Sequence, residues 1–297
     1  MGDLLSGSRA PRARLRELLA GPGPLLAPGA YDALSARLVE QAGFDAVYMT
    51  GFGTTASLIG RPDVGLLTDA EMVDNARRIA AAVDVPVIAD ADTGYGNAIN
   101  VARTVQQFER AGVAAVHLED QVSPKRCGHM AGKAVVETGE MVGKIRAAVA
   151  ARRDPDLVLI ARTDAAAVEG LDAALARARA YADAGADALF VEAPASEDDI
   201  ARVAEELKGV APLVFNWAEG GRTPPIPLGR ITELGFSLVL HPIGTLLAAT
   251  AGVRALLAAL RTDGTPTAAL PGLPTFDAFT DLIGLPEVHA LEQRFRP

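Results

Sequence analysis

Ala42-Gly43-Phe44-Asp45-Ala46-Val47, Ala111-Gly112-Val113-Ala114-Ala115-Val116, Ala184-Gly185-Ala186-Asp187-Ala188-Leu189 and Leu234-Gly235-Phe236-Ser237-Leu238-Val239 are versions of one junction. In each, a helical stretch runs into a glycine and the chain restarts as an apolar run. A helix C-terminus favours a left-handed residue, and an unbroken apolar run after it reads as a parallel strand buried on both faces. Apolar runs start near Leu25, Ala46, Val85, Ala114, Leu157, Ala188, Pro212 and Phe236, with amphipathic helical spacing clearest over 31–41, 69–83, 98–111 and 171–184. Eight such alternations predict an α/β protein of the (β/α)8 TIM-barrel type. A doubly wound open sheet fits less well, because no glycine-rich phosphate fingerprint follows the first strand.

The 297 residues suit a closed barrel as one domain. The expected division is an N-terminal helical extension over 1–22, with a short helix over 12–19, a barrel over 23–262 and a C-terminal helical segment over 263–297. Gly21-Pro22-Gly23-Pro24 punctuates the chain before the first strand. No apolar run reaches eighteen residues, so no membrane span is expected although 49% of the residues are hydrophobic. A net charge of -9 argues against a nucleic-acid partner, while an anionic small substrate stays compatible because local basic groups decide that. A lone cysteine excludes an internal disulfide framework and points to a cytoplasmic location.

In such barrels the working residues lie at the carboxyl ends of the strands. Those ends carry Tyr48 and Thr50 with Gly51, then Asp90 and Asp92, His117 with Glu119 and Asp120, Arg162 with Asp164, Glu192, Asn216 with Glu219, and His241. Asp120, Asp164 and His241 are also explained as helix caps or as partners of one another. Strand residues at i and i+2 point the same way, so Asp90 and Asp92 are expected to converge on one point. Paired carboxylates with few other ligands suit Mg2+, with Mn2+ as a substitute.

The only cysteine, Cys127, stands in Lys125-Arg126-Cys127-Gly128-His129. Three basic neighbours favour its thiolate, which marks a reactive cysteine rather than a buried structural one.

Together these motifs resemble the isocitrate lyase and phosphoenolpyruvate mutase superfamily, in its shorter branch of 2-methylisocitrate lyases, dimethylmalate lyases, oxaloacetate-cleaving enzymes and carboxyphosphonoenolpyruvate phosphonomutase. The resemblance rests on Pro28-Gly29-Ala30-Tyr31-Asp32, Asp90-Ala91-Asp92-Thr93-Gly94-Tyr95-Gly96, His117-Leu118-Glu119-Asp120-Gln121, the pentad around Cys127, and Ala161-Arg162-Thr163-Asp164. It implies that the amides near Thr50 and Gly51, with the Arg162 guanidinium, hold the carboxylate of a keto acid. It implies a Mg2+ site at Asp90 and Asp92, with Asp92 the more direct ligand and Glu119 and Asp63 supporting it through water. Lys125, Cys127, Gly128 and His129 would ride on a mobile loop, and Glu192 and Asn216 would contact the second fragment. It further implies a homo-oligomer, usually a dimer of dimers, whose C-terminal helices over 275–295 pack on a neighbouring subunit.

The expected chemistry is magnesium-dependent cleavage of the C2–C3 bond in a 2-hydroxy or 2-oxo di- or tricarboxylate, giving a keto acid such as pyruvate. Cys127 is the expected acid, with His129 and Lys125 tuning it. For the base, Tyr48 and a water relayed through Glu119 stand as alternatives. Phe52, Trp217 and Leu246 are the expected shapers of the substituent pocket. Departures from 2-methylisocitrate lyases at His129-Met130-Ala131-Gly132-Lys133 and at Glu219-Gly220-Gly221-Arg222-Thr223-Pro224 look more like dimethylmalate lyases and the carboxyphosphonoenolpyruvate enzyme. Phosphonomutase chemistry, oxaloacetate cleavage and a non-catalytic dicarboxylate-binding barrel are the other readings.

Overall fold

The computed structural model describes residues 10–296. After helix α1 (Pro11–Leu19) come strands β1 (Leu25–Ala30), β2 (Val47–Met49), β3 (Val87–Asp90), β4 (Ala115–Glu119), β5 (Val158–Thr163), β6 (Ala188–Val191), β7 (Leu213–Asn216) and β8 (Leu238–His241). Each strand pairs in parallel with the next, and β8 returns onto β1 from Leu25↔Leu238 to Pro28↔His241, closing an eight-stranded barrel. Between the strands lie α2 (Ala33–Gln41), α3 (Gly51–Ile59), α4 (Asp69–Ala82), α5 (Ala98–Ala111), α6 (Thr138–Ala151), α7 (Leu171–Asp183), α8 (Glu197–Glu206) and α9 (Leu228–Leu234). The predicted barrel is therefore observed. Its diagnostic glycines Gly43, Gly112, Gly185 and Gly235 have φ between 82° and 105°, the left-handed turn their position requires.

Two apolar layers hold the barrel together. Helix residues such as Phe108, Met141, Leu175 and Tyr181 pack on the outward strand residues, all at most 1% exposed. Inside, Tyr48, Ile88, Ile160, Phe190, Val214 and Leu238 form a second core with Leu15 and Leu19 of α1, which therefore plugs the amino end of the barrel. The Arg12 and Arg16 side chains fasten that plug by donating to the carbonyls of Val113 and Asp156 at 3.0 and 3.1 Å. Along β5, β6 and β7 the inward sequence is Ile160 then Arg162, Phe190 then Glu192, and Val214 then Asn216. Strand alternation thus places one polar layer above an apolar floor.

The C-terminal arm comprises α10 (Gly244–Asp263), α11 (Phe276–Leu282) and α12 (Leu285–Arg294). None of these helices contains a buried residue. Thr245 donates to Gly29 O at 2.6 Å, which ties the first turn of α10 to β1. Leu247, Val253, Leu257, Phe276 and Phe295 are exposed along the arm. By length and composition alone α10 is also apolar enough to cross a membrane, with mean hydropathy 1.3, although the sequence showed no uninterrupted apolar run of that length. Of the predicted N-terminal extension, residues 1–9 lie outside the described residues.

Candidate active site

The inward polar layer opens into a cavity of about 190 Å³ at the carboxyl ends of the strands. Tyr48, Thr50, Phe52, Asp63, Asp90, Lys125, Cys127, Gly128, His129, Arg162, Glu192 and Asn216, all expected from the sequence, line it. Met130, Ala218, Glu219, Gly220, Gly221, Pro242 and Ile243 complete the wall. Of the expected residues, Gly51, Asp92 and Glu119 stand behind the wall. Trp217 and Leu246 do not line it. The Trp217 ring lies 5.6 Å from that of His241 and its indole N–H donates to Ile226 O at 3.0 Å, so it supports the loop instead of shaping the cavity.

Asp90 and Asp92 converge, but not by strand alternation. β3 ends at Asp90, and Asp92 sits in the following turn at φ 48°, a left-handed conformation costly for a residue with a side chain. Its amide donates to Asp90 Oδ1 at 2.9 Å. Burial pushes the Asp92 carboxyl up to about 6 against the pull of Lys125, with Asp90 and Asp63 adding to the rise. Burial works against ionised Asp90 too, but His117, Lys125 and Arg162 outweigh it and hold this carboxyl below its ordinary value. The Gly51 amide, expected to face substrate, donates to Asp90 Oδ2 at 3.2 Å, and the Thr50 amide donates to Ala30 O at 3.1 Å. Both amides are thus occupied here. Thr50 Oγ1 caps α3 by accepting from Gly53 N at 3.2 Å.

Lys125 is buried and lies 2.7 Å from Asp63 Oδ2 and 2.8 Å from Asp92 Oδ1. Burial opposes its charge, but Asp92, Asp63, Asp90 and Glu119 hold the ammonium well above the usual lysine range. This placement overturns the expected thiolate. Burial is the leading influence on Cys127 and pushes its thiol up; the His129 backbone N–H and Arg162 favour the thiolate, Asp63 and Glu192 oppose it. His129 likewise supplies no positive charge, because burial above all lowers its pKa. Its Nδ1 accepts from Arg222 N at 3.0 Å, which leaves the proton on Nε2, 3.1 Å from Glu192 Oε1. A protonated thiol is the form an acid needs.

Arg162 anchors the centre of the layer. Its Nε and Nη2 donate to Asp164 at 2.9 and 3.1 Å, and its Nε lies 3.3 Å from Glu119 Oε2. Glu119 is buried, its Oε1 has no hydrogen-bond partner among the described residues, and burial leads the rise of its pKa well above normal. Asn216 Nδ2 donates to Glu192 at 3.2 Å while its own Oδ1 is buried without a partner, an acceptor available to a substrate hydroxyl. Asp164 and Asp120 pair as structural acids: Asp120 accepts from Asp164 N at 2.9 Å, Thr163 Oγ1 at 2.7 Å and Tyr181 OH at 2.8 Å.

His117 carries more than the sequence assigned to it. Buried inside the barrel, its Nε2 lies 2.8 Å from Tyr48 OH and 3.2 Å from Asp90 Oδ1. Burial leads the lowering of its pKa, so it is neutral, and burial followed by Asp90 raises the Tyr48 phenol. The available signal was its position two residues before Glu119 on the inward face of β4.

The donor set fits a hard divalent cation. Two converging carboxylates and a third buried acid with an unpartnered oxygen are hard oxygen donors, and a bound cation would favour their ionised forms against the burial that raises Asp92 and Glu119. Mg2+ retains water and substrate oxygens in its shell, so one or two carboxylates suffice to hold it.

The family model described as phosphoenolpyruvate phosphomutase matches residues 15–261. A 2,3-dimethylmalate lyase of Eubacterium barkeri is 47% identical over 95% of this chain and 97% of its own. A 2-methylisocitrate lyase of Shewanella oneidensis is 45% identical over 84% of this chain and 85% of its own. A solved phosphonopyruvate hydrolase complex with oxalate and Mg++ superposes with a TM-score of 0.87 at 34% identity, covering 96% of this chain and 99% of its own. Agreement of sequence along nearly the whole chain with the barrel and its polar layer establishes that this protein belongs to the phosphoenolpyruvate phosphomutase family of the isocitrate lyase superfamily.

Proposed function

We propose that this protein is a divalent-cation-dependent lyase that breaks the C2–C3 bond of an alkyl-substituted 2-hydroxy dicarboxylate, releasing a 2-oxo acid such as pyruvate. The carrying observation is that Tyr48, Cys127 and Arg162 line one cavity. A phenol backed by a neutral imidazole, a protonated thiol and a fixed guanidinium are the base, acid and anion clamp that such a cleavage requires.

Asp90 and Asp92 would hold Mg2+, with Glu119 and Asp63 supporting it through water. When bound, the ion supplies Lewis-acid stabilisation of charge on the substrate carboxylate and its neighbouring oxygen. Tyr48 takes the C2 hydroxyl proton and passes its own to His117 Nε2. The C2–C3 bond then breaks with its electron pair on C3, C2 becomes a carbonyl, and the thiol of Cys127 donates its proton to C3. Solvent later removes the proton from His117 and returns one to Cys127. Tyr48 is preferred over a Glu119 relay because Tyr48 lines the cavity and Glu119 does not.

Charge supports a dicarboxylate over a tricarboxylate. The cationic side chains of the wall are Lys125 and Arg162, both ion-paired, while His129 is neutral. Beyond them the wall is Phe52, Ala218, Pro242 and Ile243 with the Glu219 carboxylate, which accepts from Ile243 N at 3.0 Å. Alkyl groups gain there, and a third carboxylate finds no cation. The exposed apolar arm supports a homo-oligomer in which it packs on a second copy, and the lone cysteine supports a cytoplasmic location.

The test is proton NMR of the protein with Mg2+ and 2,3-dimethylmalate, 2-methylisocitrate, isocitrate, oxaloacetate or phosphonopyruvate. Consumption of an alkylated dicarboxylate with release of a 2-oxo acid, stopped by EDTA, is expected. Preferred turnover of a tricarboxylate overturns the substrate class. Exclusive turnover of the phosphonate, or binding without turnover of any acid, overturns the lyase.

A further inference from the structure

The segment 120–137 between β4 and α6 carries Cys127 and His129 over the cavity. Its base is fixed by backbone bonds, Val122 N to Ala134 O and Val136 N to Asp120 O, both 2.8 Å. Several groups of the cavity wall anchor its tip to the barrel: Lys125 on Asp63 and Asp92, His129 on Glu192 and the Arg222 amide, and Cys127 N, which donates to Asp63 O at 3.1 Å. A further anchor is a side chain outside the chemistry described above: the Lys133 ammonium donates to Gly128 O at 2.5 Å and to Asp164 Oδ1 at 2.8 Å. The Lys133 side chain is 2% exposed and Asp164 is fully buried. The same Asp164 oxygen accepts from Arg162 Nη2. One carboxylate therefore sets the position of the substrate-clamping guanidinium and, through Lys133, of the peptide between the acid Cys127 and His129.

The geometry points to Lys133 as a positioning residue that latches the Cys127 loop in register with Arg162. A buried ammonium shared by a loop carbonyl and a barrel carboxylate is a charge-assisted link that ties the loop's return limb to the end of β5. Asp164 is itself held from behind by Asp120, so the link ends on a rigid support. Gly128 suits the arrangement because a Cβ there would fall on the Arg162 guanidinium and the Glu192 carboxylate, and the latch draws the backbone into that contact. The catalytic consequence rests on the lyase reading; the mechanical one does not.

Because Cys127 is the only cysteine, its alkylation by iodoacetamide reports the loop without any turnover. Lys133→Met is expected to speed alkylation of Cys127 by about tenfold or more, the response to easier local opening once a buried charged link is removed. It is also expected to lower kcat with KM much less affected. Lys133→Arg, which keeps the charge and the donors, is expected to restore slow alkylation. Alkylation of Lys133→Met at the wild-type rate overturns the latch. Should Lys133→Met fail to fold, Lys133→Gln carries the same expectation with the neutral donor kept and the charge lost. If no acid is turned over, the lyase reading fails while the alkylation rates still decide the latch.

Discussion

Tyr48 OH and His117 Nε2 lie 2.8 Å apart inside the barrel, with the phenol facing the cavity and the imidazole behind it. A proton taken at Tyr48 has an acceptor waiting one hydrogen bond away. Tyr48→Phe is expected to lower kcat by about 10²–10⁴-fold with a smaller change in KM, measured as release of 2-oxo acid. A full rate in Tyr48→Phe, joined to loss of rate in Glu119→Gln, would move the base to a water held by Glu119.

Cys127 is held as a thiol. A raised pKa keeps the acid protonated at neutral pH, and that protonation is lost only as the pH climbs through the raised value. The iodoacetamide rate at Cys127 is therefore expected to rise with an inflection above 9.0, the ordinary thiol value. An inflection below it would restore the thiolate reading. Cys127→Ser is expected to lower turnover by about 10²–10⁴-fold while ligand binding persists.

Removal of divalent cation with EDTA is expected to abolish turnover, and Mg2+ or Mn2+ to restore it. Cation binding is also measurable without catalysis: at 100 times its Kd an ion that binds only the folded state adds about 2.7 kcal/mol of stability. A rise in Tm with Mg2+ in the wild type, lost in Asp92→Asn, is the expected pattern.

Gly51 carries its constraint in its missing side chain. A Cβ there would fall on Asp90 Oδ2 and reach to 3.5 Å from Asp92 Oδ1. Gly51→Ala is expected to cost about 1–3 kcal/mol of stability by overpacking, read from urea unfolding, and to displace Asp90 enough to weaken Mg2+ binding. Unchanged Mg2+ affinity would show that the Asp90 carboxylate tolerates the shift.

The arm is expected to be covered by a second copy. Val253→Glu with Leu257→Glu places charges on the exposed face of α10, and sedimentation should then show a smaller particle than the wild type. A wild-type monomer would leave that face to another partner.

Much of this architecture was legible in the linear chain. Glycine at four helix-to-strand junctions and the eight apolar runs are local properties, governed by backbone sterics and by burial of both strand faces, so the barrel followed from them. Position at the carboxyl ends of the apolar runs likewise picked out Arg162, Glu192 and Asn216. What each group does depends on partners distant in sequence. Lys125 looked like a neighbour tuning Cys127, but the fold gives it to Asp63 and Asp92, and the buried thiol stays protonated. Gly51 looked like a free donor until Asp90, from another strand, accepted its hydrogen. Trp217 turned to His241 and Ile226, away from the cavity, and Lys133, a bare loop lysine in the sequence, reached the same carboxylate as Arg162. Residue type and spacing determined which strands carry polar groups at their ends. Protonation states, occupied amides and the loop latch were decided only by tertiary structure, because burial and charge pairing act through distance in space rather than along the chain.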